Sequence, residues 1–92
     1  MPVTVRIPAQ LRSLTQGLDE VQAEGQTVAE VIDALDQAYP GLRDRLRDDK
    51  GVLRHVNIYR NDEDIRFEDS LETRLAAGDA LEIVPAIAGG AP

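Results

Sequence analysis

Thr27-Val28-Ala29-Glu30-Val31-Ile32-Asp33-Ala34-Leu35-Asp36-Gln37-Ala38-Tyr39-Pro40 is the stretch on which the fold turns. Thr27 and Glu30 form a capping box: the threonine hydroxyl accepts from the amide of the third helical residue, and Glu30 is expected to reach back to the amide of the cap itself. Val28, Val31, Ile32, Leu35 and Tyr39 then fall at i, i+3, i+4, i+7 and i+11, one apolar stripe, with Asp33, Asp36 and Gln37 away from it. Pro40 lacks an amide donor and turns Tyr39 out of helical geometry, so the helix stops there. A single helix with a single apolar stripe must bury it against another layer.

The flanking segments supply that layer. Before the helix, Val3, Val5 and Ile7 alternate with polar neighbours until Pro8, the period-two pattern of a strand with one buried face. Leu11 and Leu14 sit in a polar connection that ends at Gly17, and Leu18 to Glu24 reads as a second strand, joined to the first as an antiparallel hairpin. After the helix, Leu42 and Leu46 lie four apart in a short helix or turn. There Asp44, Asp48 and Asp49 cancel Arg43, Arg45 and Arg47, which gives a solvated face and not a nucleic-acid helix. Leu53 to Arg60 is strand-patterned, with Val56 and Ile58 on one face and Asn57 and Tyr59 on the other. A turn at Asn61-Asp62 leads to a short strand at Ile65-Arg66-Phe67, with Asp64 and Arg66 as a hairpin ion pair. A helical turn capped by Ser70 follows, and the final strand is Leu81 to Pro85 with Leu81 and Ile83 inward. This order predicts an α+β fold of the β-grasp (ubiquitin-like) type: a mixed sheet on one main helix, its first and last strands parallel at the centre. The body spans residues 1–86 and a flexible tail residues 87–92. The sheet face away from the helix, with Tyr59, Phe67 and Val84, is the expected partner interface.

Composition narrows the function. The chain has 92 residues, a net charge of −7 and a pI near 4.5, which opposes nucleic-acid phosphates and anionic lipid. No apolar run is long enough to span a membrane, and the first residues enter a strand without a signal-like segment, so a cytoplasmic location is expected. There is no cysteine and one histidine, His55, so thiolate or imidazole metal sites are not expected. Asn61-Asp62-Glu63-Asp64 lacks the glycine and distant glutamate of a calcium loop, so no metal site is assigned there either. No nucleophile, base and orienter recur at usable spacing, and an enzyme is the least favoured class.

The chain closes on Ala86-Ile87-Ala88-Gly89-Gly90-Ala91-Pro92. Two glycines in succession give a thin backbone that passes where a side chain would clash, although such a pair also suits a frayed end. Three passages together resemble the ThiS/MoaD family of ubiquitin-like sulfur carriers, over nearly the whole chain. They are Val3-Thr4-Val5-Arg6-Ile7-Pro8, the segment from His55 to Phe67, and the segment from Gly78 to Gly90. Within that family the CysO type, which delivers sulfur for cysteine synthesis, is most similar. The resemblance implies that the glycine end, recognised through Ala88, Gly89 and Gly90, is adenylated with ATP by an E1-like adenylyltransferase/sulfurtransferase. Sulfur then replaces AMP to give a thiocarboxylate on Gly90. It further implies a pyridoxal-phosphate-dependent cysteine synthase and a JAMM-type zinc metalloprotease as partners, so that ATP, zinc and pyridoxal phosphate belong to them and no cofactor is bound by the carrier. Gly90 is followed by Ala91 and Pro92, a departure from the family pattern that requires cleavage of the Gly90–Ala91 bond. A ubiquitin-like modifier conjugated through Gly90, or a carrier of the thiamine or molybdopterin type, remains the alternative.

Overall fold

The computed structural model describes residues 2–85. The calls on Ala88, Gly89, Gly90 and Ala91, and the boundary between body and tail, lie outside the described residues. Five strands form one sheet in the order β2-β1-β7-β5-β6: β1 (Pro2–Arg6), β2 (Glu20–Glu24), β5 (Val56–Arg60), β6 (Glu63–Asp64) and β7 (Ala80–Pro85). A separate two-residue hairpin pairs β3 (Arg47–Asp48) with β4 (Gly51–Val52). β1 and β7 are parallel, with Val5 beside Leu81, whereas β2 and β5 run antiparallel on either flank. This is the β-grasp arrangement.

Helix α1 (Val28–Ala38) lays its stripe on the sheet. Val28, Val31, Ile32 and Leu35 are buried against Val3, Val5, Val21, Val56, Ile58, Leu81 and Ile83, and Tyr39 packs on the edge of this cluster. The Thr27 hydroxyl accepts from the Glu30 amide at 3.2 Å, as expected of the cap. The return contact is shifted by one residue: Glu30 Oε1 accepts from the Gln26 amide at 2.9 Å. A bridge to Arg74 accounts for the shift, because it fixes Thr27 through bonds from Leu75 to the Gln26 carbonyl and from Val28 to the Thr73 carbonyl. Gly25 is needed at this approach, since a Cβ there would stand 2.8 Å from the Val31 nitrogen.

Three connections differ from the sequence reading. Ala9–Thr15 is a 3-10 helix that buries Leu11, and the Thr15 hydroxyl donates to the Leu18 carbonyl at 2.8 Å. Arg43–Arg45 is a 3-10 turn, as the expected short helix or turn allows, flanked by Leu42 and Leu46, both fully buried beneath the helix end. The short strand falls at Glu63–Asp64 and not at Ile65–Phe67, because Asn61 and Asp62 take φ values of 49° and 76° and close a two-residue hairpin loop between paired Arg60 and Glu63. Ile65–Phe67 is a 3-10 turn that drops Ile65 into the core. Ser70 is not a cap; it sits inside the next turn at φ 53°, and its neighbour Asp69 donates its amide to Thr73 Oγ1. Among the described residues no helix is long and apolar enough to cross a membrane.

Candidate functional site

β7 positions whatever follows Pro85. Its first half, Ala80 to Glu82, pairs with β1, Leu81 to Pro85 pair with β5, and its last residue is opposite Val56, the first residue of β5. Alternation sends Leu81 and Ile83 into the core and leaves Ala80, Glu82 and Val84 on the open face. The strand is therefore held as a central sheet strand while its continuation is delivered at one end of the sandwich.

The start of β7 is anchored by Asp79, which is buried with polar partners on every side. Its Oδ2 accepts from the Ala76 amide at 2.8 Å and from Arg60 Nε at 3.0 Å, and its Oδ1 accepts from Asn61 Nδ2 at 3.0 Å. Asn61 completes the loop by accepting from the Ala80 amide at 3.0 Å, and Arg60 Nη1 also reaches Glu68 at 3.3 Å. The Ala76 amide, followed by Asn61 and Arg60, holds the Asp79 carboxyl below its ordinary range despite the opposing cost of burial. Asp79 in turn raises the Arg60 guanidinium above its usual value. This network clamps the β5–β6 hairpin to the entry of β7. It is a structural lock.

The open face divides in two. Toward β2 it is polar, with Arg6 in register between Glu20 and Glu82, and with Gln22 donating to Thr4 at 3.3 Å. Toward β5 it carries Tyr59, beside Glu82, and Val84, beside Asn57. The structure thus brings Tyr59 and Val84 onto one face, both half-buried. Phe67 is placed off the sheet, on the 3-10 turn, and is 82% exposed. Asp64 and Arg66 do not form the expected ion pair: the Asp64 carboxylate accepts from the Arg66 amide at 2.8 Å, while the guanidinium donates to Asn57 Oδ1 at 2.7 Å, to the Val56 carbonyl at 2.7 Å and to the Leu53 carbonyl at 2.8 Å. The Val56 carbonyl, the Asn57 side chain and the Leu53 carbonyl just before β5 draw the arginine away from its neighbour. His55 is exposed just before β5, and among the described residues no group of three or more histidines and carboxylates is placed to hold a metal ion.

Asp79 and Arg66 carried no spacing signal. Apart from the Ala76 amide three residues back, the Asp79 partners lie 18 and 19 residues away, and those of the Arg66 guanidinium 9 to 13 residues away.

Comparison with known proteins places these features. A family model described as the ThiS family matches residues 5–90. The sulfur carrier protein CysO of Mycobacterium tuberculosis is 47% identical over 93 residues, covering 98% of this chain and all of the relative. In a crystal structure of the Amycolatopsis orientalis BexX/CysO complex, one chain is 45% identical with a TM-score of 0.91, covering 96% of this chain and 99% of that one. The small archaeal modifier protein 1 of Methanosarcina acetivorans is 31% identical with a TM-score of 0.82, covering 97% of this chain and 96% of that one.

Proposed function

This chain belongs to the ThiS family, and from that premise we propose that it is a sulfur carrier whose reactive atom is the carbonyl carbon of Gly90. The observation that carries the proposal is the extent of the family match: it runs through the body and reaches residue 90, the second glycine of the pair. The near full-length likeness to CysO supports cysteine synthesis as the destination of the sulfur.

The chemistry follows from the bond at Gly90. With Ala91 attached, that carbonyl is an amide and offers no carboxylate to activate. Hydrolysis of the Gly90–Ala91 bond consumes one water and leaves a carboxylate on Gly90. Attack of that carboxylate on the α-phosphorus of ATP expels pyrophosphate and gives a mixed anhydride. A sulfur nucleophile then adds to the carbonyl carbon, AMP leaves, and the thiocarboxylate remains. An E1-like enzyme supplies the activation, a JAMM-type metalloprotease the cleavage, and a pyridoxal-phosphate enzyme the use of the sulfur, so the carrier itself acts as co-substrate. Gly90 is the fifth residue beyond Pro85, a reach of about 16 Å for an extended chain at roughly 3.3 Å per residue. Ala88, Gly89 and Gly90 present the narrow backbone that an active-site channel admits.

The test compares the full chain with a version ending at Gly90, each incubated with the activating enzyme, ATP and a sulfur source and followed by intact mass. The shorter chain is expected to gain sulfur and the full chain to remain unchanged until Ala91-Pro92 is lost. Sulfur on an untrimmed chain, or no adenylation of the trimmed one, overturns the proposal. The likeness to an archaeal modifier protein favours a second reading, conjugation through Gly90 to lysines of other proteins, which Gly-Gly remnants on cellular lysines would reveal.

A further inference from the structure

The chain has one phenylalanine, and the fold spends it on the surface. Only Leu18, at 46%, and Phe67, at 82%, are exposed large apolar residues among the described residues. Burying a phenyl ring ordinarily stabilises a fold, a gain that is forgone at Phe67. The turn that carries the ring is nonetheless firmly held. Ile65 is fully buried on one side, the Asp64 carboxylate caps the Arg66 amide, the Glu68 amide bonds the Ile65 carbonyl at 2.9 Å, and three bonds from the Arg66 guanidinium fasten the turn to the edge of β5. One of those bonds ends on the carbonyl of Val56, the residue paired with Pro85. Phe67 therefore stands at the outer edge of β5, on the side of the sandwich where β7 ends. Through the Arg66–Asn57 bond its turn is joined to the open-face strip of Val84 and Tyr59.

Exposed carboxylates flank the turn, whose own cation, Arg66, is engaged by Asn57 and by the Leu53 and Val56 carbonyls. Glu63 and Asp69 are exposed on either side of the turn and make no ion pair among the described residues, while Glu68 is turned back to Arg60. An exposed aromatic on a rigid support, with carboxylates beside it, fits an apolar pocket with a basic rim. Bracing in advance removes part of the ordering cost of binding, and a buried aromatic is the residue type that most often dominates an interface.

We propose that Phe67 is a docking knob, held in place by Arg66, that inserts into an apolar, basic-rimmed pocket of the enzyme that draws Gly90 into its active site. This assignment rests on the carrier reading above. Arg66 is a positioning residue, and Glu63 and Asp69 supply the charge that meets the rim.

The core lies within residues 3–83, so a chain ending at Gly90 retains the fold and is the substrate for the test. Its steady-state adenylation by the activating enzyme and ATP is measured for wild type, Phe67→Ala, Arg66→Lys and Glu63→Lys/Asp69→Lys, alongside thermal melts. Phe67→Ala is expected to raise KM for the carrier at least tenfold with kcat and melting temperature unchanged. Arg66→Lys, whose point charge cannot bridge three acceptors, should raise KM to a smaller extent at unchanged kcat. The double lysine variant should raise KM and abolish its dependence on salt. If wild type is adenylated and Phe67→Ala stays within twofold of its KM, the knob is overturned and the carrier reading stands. If wild type is never adenylated, the carrier reading falls and takes the knob with it.

Discussion

Asp79 is the residue whose removal should tell most about how β7 is held. Truncation to alanine leaves the Ala76 amide, the Asn61 amide group and the Arg60 guanidinium without their acceptor, and a loss of about 1–3 kcal/mol in a denaturant melt is expected. Its carboxyl is held below the ordinary value, first by the Ala76 amide. The stability it contributes is therefore present above the unfolded carboxyl pKa of about 3.9 and is lost as pH falls through the lower folded value. Stability measured from pH 6 down to pH 2 should fall less steeply in Asp79→Asn than in wild type; equal slopes would contradict the assignment. Thr27→Ala, by comparison, removes a single capping bond and should cost about 1 kcal/mol. Thr27 was legible because a cap and its partner sit three residues apart. Asp79 was not, because its side-chain partners Asn61 and Arg60 meet it only after the sheet has formed.

Among the elements, those with a strict period were legible and those without one were not. α1, β1, β5 and β7 appear where the stripe and the alternation put them, and Leu35→Ala should cost about 2–5 kcal/mol by opening a cavity between helix and sheet. The same range is expected for Leu46→Ala, in a segment whose sequence looks solvated: charges at positions 43–45 and 47–49 surround a fully buried leucine. A melt of Leu46→Ala indistinguishable from wild type would show that this leucine carries little of the core. Short 3-10 turns escape periodicity because three residues present too few positions to establish it, and they bury single residues such as Ile65 and Leu71. The same brevity moved the strand after the Asn61-Asp62 loop by two residues and put Phe67 on a turn. Of the candidate site, alternation placed Tyr59 and Val84 on the open face, but no pattern in Ile65-Arg66-Phe67 announced that Arg66 would reach back to β5.

At the scale of the whole molecule, β7 joins two halves that do not otherwise meet in the sheet: β2 with β1 on one flank, β5 with β6 on the other. Ending the chain at Gly78 should therefore leave an unfolded polypeptide, seen as collapsed amide dispersion in NMR, whereas ending it at Pro85 should leave the melting temperature within a few degrees of wild type. This arrangement also sets a timetable. During synthesis the helix and both hairpins leave the ribosome before Ala80–Pro85 does, and each must wait for the strand that will lie between them. Folding is in this way tied to completion of the strand that precedes the glycine pair, and a ribosome stalled earlier releases a chain with neither a closed body nor a reactive end.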